Sequence, residues 1–287
     1  MKKQLFSILL LFLSITMVFA QKTTDTRQIP IDGFFTNPVV SPDGAYALLT
    51  GEHYHGVFLL NLMTNQLKVV SHAEGSGYGY SWNTDSSRFY FKQKGVKEYN
   101  NDAKVYSFTI ENESINAVEN IKNTYLPSFS GLDKKKQTNL VVYTNLVTLK
   151  IEAIDLITQE KWEVTKEDGQ FYNAILSNDG SKVAVHNGAS IYIYDAKGNR
   201  IGKKIGTGIV TSWSADDRYL IGFLDESRDG HTVTNSELYL YDVQNSKEIK
   251  LTHTETSSEM FPCFYDTNKI IFADDKSGHL FISNLKF

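Results

Sequence analysis

The chain has 287 residues, a single cysteine and a formal net charge of −4, with 33 acidic side chains against 29 Lys and Arg. One cysteine excludes an intramolecular disulfide, and the acidic balance argues against nucleic acid or an anionic membrane surface as a partner. The length exceeds that of an average domain, but a single all-β domain often reaches about 200–250 residues.

Residues 1–20 have the pattern of a secretory signal peptide. Lys2 and Lys3 give a positive start, residues 5–13 form a short apolar run, and a small-residue cleavage site ends at Ala20. The alternative is a membrane anchor, but the run is short for a bilayer span and no stop-transfer charges follow it. We therefore predict export to the periplasm or the extracellular space, with no membrane span after cleavage. Cleavage removes two lysines and no acid, so the mature chain has a charge of −6.

One segment recurs along the rest of the chain. It consists of a short apolar strand, a polar turn with an aspartate, and a second strand. The turn aspartates are Asp43, Asp85, Asp133, Asp179, Asp216 and Asp266. They are separated by 42, 48, 46, 37 and 50 residues, and a four-stranded propeller blade needs roughly 40–50 residues. We expect these carboxylates to hold their turns by accepting bonds from nearby backbone N–H groups, rather than to act as catalytic acids.

Four strands can be recognised in most copies. In the fourth copy they are Asn173–Leu176, Lys182–His186, Ser190–Tyr194 and Arg200–Ile205. The last copy ends after its third strand, whereas an isolated strand, Arg27–Ile31, precedes the first copy. The sequence therefore predicts an all-β fold, a single six-bladed β-propeller over residues 21–287. Its blades are four-stranded and antiparallel, and the N-terminal strand closes the last one.

Three of these segments resemble a known repeat. SPDGAYALL (41–49), SNDGSKVAV (177–185) and SWSADDRYLIGF (212–223) are similar to the Ser-Pro-Asp-Gly repeat of TolB-like propellers. The same repeat occurs in the propeller domains of dipeptidyl-peptidase IV and prolyl-oligopeptidase relatives. The resemblance covers essentially the whole mature chain and implies the propeller fold. It implies little about function, because we expect neither the additional N-terminal domain of TolB nor the catalytic α/β domain of the peptidases here.

The sequence contains none of the common catalytic motifs. There is no G-x-S-x-G elbow, no H-E-x-x-H, no paired-cysteine zinc motif, no phosphate-binding loop and no dinucleotide fingerprint. One segment has partial calcium-loop spacing, with Asp225, Ser227 and Asp229 at alternate positions before Gly230. It departs from the calcium pattern at later positions, so a plain solvated loop is the alternative.

A second segment has metal-ligand character. His53 and His55 are two residues apart, so in an extended segment both imidazoles lie on the same face. Together with ligands from other blades, such as His231 and His279, they could hold a metal ion. Exposed loop histidines without a metal are the alternative.

The loops between strands d and a and between strands b and c share one face in propellers of this strand order. We call this the loop-rich face. Its loops are long and carry aromatic, His and Arg side chains, which are typical of recognition surfaces on rigid scaffolds. We expect some of these side chains to fill grooves between blades instead. The predicted ligand-binding residues are His53, Tyr54, His55, Tyr78, Tyr125, Phe171, Tyr172, Arg228 and His231.

The sequence thus predicts a monomeric, exported, non-catalytic propeller that binds a protein, peptide or glycan on the loop-rich face. We expect no nucleic-acid partner and no cofactor other than the calcium ion considered above. Two alternatives remain open. One is a metal-assisted lyase or hydrolase that acts at the channel mouth, for example on acidic sugars. The other is a structural component of a cell-envelope complex.

Overall fold

A computed structural model describes residues 22–93, 104–118, 140–155, 157–230 and 232–286. These residues contain 23 β-strands and two short 3₁₀ helices. The strands form six antiparallel sheets in a ring, so the prediction of an all-β six-bladed propeller is confirmed. No helix in the described part of the chain is long and apolar enough to cross a membrane. The predicted signal peptide lies outside the described residues.

The blades are numbered along the chain, and the strands of each blade are named a to d from the centre outwards. Blade 1 contains β2 (Thr36–Val40), β3 (Tyr46–Thr50), β4 (Val57–Asn61) and β5 (Leu67–Ser71). Blade 2 contains β6 (Tyr80–Trp82), β7 (Arg88–Gln93), β8 (Lys104–Thr109) and β9 (Ile115–Ala117). In blade 3 the described strands are β10 (Leu140–Asn145), β11 (Lys150–Asp155) and β12 (Lys161–Glu163). The predicted strand a of blade 3 falls in residues 119–139, outside the described residues.

The remaining three blades each show four strands. Blade 4 contains β13 (Phe171–Leu176), β14 (Lys182–Asn187), β15 (Ser190–Asp195) and β16 (Arg200–Thr207). Blade 5 contains β17 (Ile209–Trp213), β18 (Tyr219–Ser227), β19 (Val233–Asp242) and β20 (Lys247–Lys250). Blade 6 contains β21 (Glu259–Asp266), β22 (Lys269–Asp274), β23 (Leu280–Lys286) and, from the start of the chain, β1 (Lys22–Gln28).

The N-terminal strand closes the ring as predicted. Strand β1 pairs antiparallel with β23, from Lys22 opposite Lys286 to Gln28 opposite Phe281. The contact continues one residue further, because the Ile29 N–H donates to the Leu280 carbonyl at 2.8 Å. The strand nevertheless begins at Lys22 and not at Arg27. Its residues are polar and mostly exposed, so no hydrophobic alternation marks where it starts.

Apolar side chains are buried between neighbouring blades rather than around one centre. Separate clusters join blades 6 and 1, 1 and 2, 3 and 4, 4 and 5, and 5 and 6. Each fully buried large apolar side chain stabilises the fold by roughly 1.5–3 kcal/mol. Cys263 belongs to the cluster between blades 6 and 1, so its thiol is buried, and burial raises its pKa.

Indole side chains also tie neighbouring blades together. Trp82 of blade 2 donates from Nε1 to the Val39 carbonyl of blade 1 at 3.0 Å. Trp213 of blade 5 donates in the same way to the Ile175 carbonyl of blade 4 at 3.1 Å. Both acceptors lie in strand a of the preceding blade, next to a β-bulge. Each indole thus adds a hydrogen bond from its own blade to the inner strand of the blade before it. These contacts hold the inner strands, and hence the loops at their ends, in fixed positions.

Candidate functional site

The a–b turns have the structural role that the repeat predicts. In blade 4, Ser177 Oγ donates to Asp179 Oδ1 at 2.8 Å, and the Ser181 N–H donates to the same oxygen at 2.9 Å. Burial acts to raise the Asp179 pKa, but the hydrogen bonds from Ser181 and Ser177 outweigh it and lower the pKa to about 2. The equivalent serine–aspartate bonds occur in blades 1 and 5. These carboxylates are occupied with closing their turns, as predicted.

Two of the a–b turns also bond to the preceding blade. Asp217 of blade 5 accepts from the N–H groups of Asn178 and Asp179 in blade 4, at 2.7 and 2.9 Å. In blade 2, Ser86 Oγ accepts from the Asp43 N–H of blade 1 at 3.0 Å. Asp217 and Ser86 have φ angles of 55° and 60°, a backbone conformation that favours glycine. The side chain at this position offsets the strain by joining two blades.

On the opposite face, the a–b turns within the described ranges are therefore short and internally bonded. A cavity of about 420 Å³ opens on it between the turns of blades 1, 5 and 6. Its lining residues are Pro42, Asp43, Gly44, Ala215, Tyr265, Asp266, Thr267 and Lys269. Two of its carboxylates already accept bonds within their own turns, since Asp43 accepts from Ala45 N–H and Asp266 from Thr267 N–H.

The d–a and b–c loops meet one another on the loop-rich face. The Phe35 N–H, in the loop before blade 1, donates to the Gly278 carbonyl in the b–c loop of blade 6 at 2.8 Å. The Asp275 N–H in that b–c loop donates to the Ser258 carbonyl in the d–a loop at 2.9 Å. Loops from neighbouring blades thus brace each other, which gives a recognition surface a defined shape.

A pair of stacked tyrosines lies where blades 1, 2 and 6 meet on the loop-rich face. The rings of Tyr54 and Tyr78 are 4.6 Å apart between centroids, at an interplanar angle of 25°. Tyr78 keeps 56% of its surface exposed. Burial, then the neighbouring Tyr78 and then the charge of Asp275 raise the pKa of Tyr54. The b–c loops of blades 1 and 6 both pack against Phe34, since a Cβ at Gly278 would meet the Phe34 ring and one at Gly51 would lie 3.8 Å from the Phe34 carbonyl oxygen. Two tyrosines that were predicted on different loops are therefore in direct contact.

The backbone that holds this pair is strained and tightly packed. His53 and Tyr54 both have left-handed backbone angles, with φ of 54° and 59°. Such angles cost about 1–3 kcal/mol each in non-glycine residues and concentrate at functional sites. A side chain at Gly77, in the helix that carries Tyr78, would collide with Thr50, so that position requires glycine. The strain and the close packing fix the orientation of the tyrosine pair.

A second exposed tyrosine lies at the boundary of blades 4 and 5. Tyr172 keeps 39% of its surface exposed and donates from its hydroxyl to the Gly188 carbonyl at 2.9 Å. Its ring stacks on His186 with centroids 5.3 Å apart. Burial, followed by the charge of Asp225 in blade 5, raises the pKa of Tyr172.

An apolar hairpin tip that was not predicted from the sequence lies on the same face. Leu146 and Val147, between strands b and c of blade 3, are 67% and 91% exposed. The Asn145 side chain accepts from the Val147 N–H at 2.9 Å, which holds both apolar side chains at the tip of the turn. Two consecutive apolar residues in a tight turn could have indicated this exposed tip, because turns are normally polar.

Of the other predicted site residues, His53 and His55 flank Tyr54 on its loop, and the rest lie elsewhere. His53, His55 and Arg228 are exposed on their loops. Phe171 is 1% exposed and belongs to the cluster between blades 3 and 4, with its ring edge-to-face against Tyr194. It therefore contributes to packing, as the groove-filling alternative describes. Tyr125 and His231 lie outside the described residues.

The predicted calcium segment begins inside a strand. A solvated loop was the alternative to calcium for the segment that starts at Asp225, but β18 continues to Ser227 and β19 begins at Val233, with Asp225 paired to Ser236. Hydrogen-bonded pairing of polar residues extended this hairpin beyond its apolar part. Asp229 accepts from the Thr232 N–H at 2.7 Å and from Ser227 Oγ at 3.0 Å, so it closes the hairpin turn.

Within the described ranges, no three His, Cys, Asp or Glu side chains are grouped in a way that could hold a metal ion. Calcium at Asp225, Ser227 and Asp229, and a metal at His53 and His55, stay predictions that require a binding measurement.

No protein-family model and no curated protein matches this chain. Solved structures do match this chain. A structure of oligogalacturonate lyase in complex with manganese superposes with a TM-score of 0.54 at 15% identity, covering 90% of this chain and 79% of that one. TolB from Acinetobacter baumannii gives a TM-score of 0.53 at 16% identity over 88% of this chain. The superposed region is 63% of that TolB chain.

The propeller domain of Cps50 (Swd1) from Myceliophteria thermophila gives a TM-score of 0.56 at 10% identity, over 91% of this chain and all of that domain. These three proteins differ in name, and each shares its fold with this chain. The comparison therefore confirms the predicted likeness to TolB-like propellers as a likeness of fold.

Proposed function

We propose that this protein is an exported binding module that holds a protein or peptide partner on its loop-rich face. The observation that carries the proposal is the distribution of exposed apolar surface. Tyr78, Leu146, Val147 and Tyr172 all lie on this face, and the two tyrosines are the only large aromatics that the described residues expose so strongly. Surface aromatics rimmed by polar side chains mark protein interaction sites.

The scaffold supports the same function. Exposed apolar side chains elsewhere lie singly on outer strands or c–d turns, such as Val69, Ile115 and Met63, and isolated residues of this kind are normal. On the loop-rich face the aromatics stand on braced loops, so little ordering is required when a partner binds. A preorganised surface loses less conformational entropy on association.

Export is part of the proposal and rests on the pattern of residues 1–20. A glycan ligand is the main alternative occupant, because tyrosine rings also suit the apolar faces of sugars. A metal-assisted lyase or hydrolase would need bound metal, which elemental analysis of the purified mature chain would detect.

Site-specific photo-cross-linking in the native cell tests the proposal. A photoreactive amino acid is placed at Tyr78, Val147 or Arg228 on the loop-rich face, and at Thr267 or Lys269 on the opposite face as matched controls. We expect protein adducts from the first three positions and none from the controls. Adducts only from the controls would contradict the assigned face. Adducts that carry sugar and no polypeptide would identify a glycan ligand instead.

A further inference from the structure

The carboxylate of Asp275 is the unusual member of the tyrosine-pair site. Its neighbour Asp274 is fully bonded, accepting from the Ser258 and Lys276 N–H groups and from Ser277 Oγ. Asp275 is half-buried, yet no hydrogen bond or cation within the described ranges stabilises its charge. Burial and then the charge of Asp274 raise its pKa. Water is therefore the only partner of this carboxylate within the described ranges, and a cationic ligand group could replace it with a charge-assisted hydrogen bond.

The surroundings of Asp275 are acidic and aromatic. The loops around the tyrosine pair, residues 51–56, 72–79 and 274–278, carry Glu52, Glu74 and two aspartates against one lysine and no arginine. Tyr54 and Asp275 lie on loops that both pack against Phe34, and the Tyr54 ring stacks on Tyr78. An aromatic face attracts a cation through its ring quadrupole, most often the guanidinium of arginine.

We propose that Tyr54, Tyr78 and Asp275 form a subsite for an arginine side chain of the partner. A guanidinium group is planar, so it can stack on the exposed Tyr78 ring while its N–H groups form a fork with a carboxylate. The negative charge of the surrounding loops complements it and would speed association. The inference rests on the proposed function, since it names the chemistry that the loop-rich face recognises.

The test measures binding of small probes to the full mature chain by ligand-observed NMR. The probes are N-acetyl-arginine amide, its neutral isostere N-acetyl-citrulline amide, and N-acetyl-lysine amide. We expect the arginine probe to bind with a Kd of about 1–10 mM, in the range of single-residue ligands. The citrulline probe should not bind, because it keeps the shape and loses the charge, and the lysine probe should bind more weakly than arginine.

Variants then locate the site. Asp275→Asn and Tyr78→Ala should each weaken arginine binding by about fivefold or more, as loss of an anchor does. Tyr78→Phe keeps the ring, and Asp168→Asn makes the same charge change at an exposed position on another loop of this face. Both should bind the probe as the parent does. Melting temperatures identify any variant that fails to fold, and the Asp275→Asn and citrulline results decide the question without Tyr78→Ala.

Three results would overturn the subsite: no arginine binding at about 50 mM probe, well above the expected Kd, equal binding of citrulline, or unchanged binding in Asp275→Asn. Tighter binding of lysine would overturn the choice of guanidinium. Failure here is separable from failure of the proposed function. If the probe does not bind while cross-links still form on the loop-rich face, only the arginine subsite is wrong. If the probe binds while cross-links form only on the opposite face, the proposed partner face is wrong.

Discussion

Acid should weaken the contact between blades 4 and 5 through His186. This side chain is fully buried. Its Nε2 accepts from the Val210 N–H of blade 5 at 3.1 Å, and its Nδ1 lies 3.3 Å from the Asn173 carbonyl. The imidazole must therefore be neutral with its proton on Nδ1. A proton on Nε2 would oppose the Val210 N–H and place a charge in the core.

The size of this loss of stability follows from the pKa of His186. Burial lowers the pKa of His186 from 6.5 to about 4. The unfolded chain takes up a proton below pH 6.5, whereas the native protein does so only near pH 4. Stability contributed by neutral His186 is thus fully present above pH 6.5 and is lost as the pH falls towards 4. At about 1.4 kcal/mol per unit, the loss is about 2 kcal/mol by pH 5 and about 3 kcal/mol by pH 4.

Urea unfolding followed by tryptophan fluorescence at pH 7.5 and pH 5 measures this loss. His186→Gln cannot titrate, so we expect it to be less stable than the parent at pH 7.5 but to lose about 2 kcal/mol less on acidification. His72→Gln, at an exposed position, is the matched control and should lose as much as the parent. An equal pH dependence in His186→Gln and the parent would refute the assigned role of the imidazole.

Three further predictions concern the ring and its loops. Deleting residues 21–32 removes strand β1 and exposes the edge of β23, so the melting temperature should fall sharply; unchanged melting would contradict ring closure. Asp217→Asn leaves one of the two backbone N–H donors facing an amide N–H₂ group. The free energy of unfolding, measured in urea, should therefore fall by about 1–3 kcal/mol. Stability equal to that of the parent would show that the link between blades 4 and 5 is dispensable. If the segment that starts at Asp225 binds calcium, millimolar calcium should raise the melting temperature and Asp225→Ala should abolish the rise; calorimetry without detectable calcium binding would exclude the site.

The ring could be predicted from the sequence because its signals are local and repeated. The turn around Asp179 recurs with the same chemistry in several blades, and each turn separates two strands of alternating pattern. The closing strand was recognisable because the last copy lacked a fourth strand. Its start at Lys22 was not, since a polar outer strand has no hydrophobic period.

The candidate site was only partly predictable, because it depends on contacts between blades. Tyr54 and Tyr78 were selected separately, and nothing in their sequence spacing shows that their rings stack. Asp275 was not selected, since an aspartate beside a b–c turn has no pattern that distinguishes it from its bonded neighbour Asp274. Phe171 was selected as a surface aromatic, but its place at the start of an inner strand buries it against blade 3.

The affinity of the cross-linked partner for variants of the two faces tests the central claim most directly. We expect Tyr78→Ala, Tyr172→Ala and Arg228→Ala each to weaken binding by on the order of 2 kcal/mol, or about 30-fold, as truncation of an anchor residue does. Lys182→Ala and Lys269→Ala, beside the a–b turns of the opposite face, should bind as the parent does. Melting temperatures close to that of the parent would confirm that each variant is folded. Weakened binding in the two lysine variants, with parental affinity in the three loop variants, would contradict the assignment of the loop-rich face.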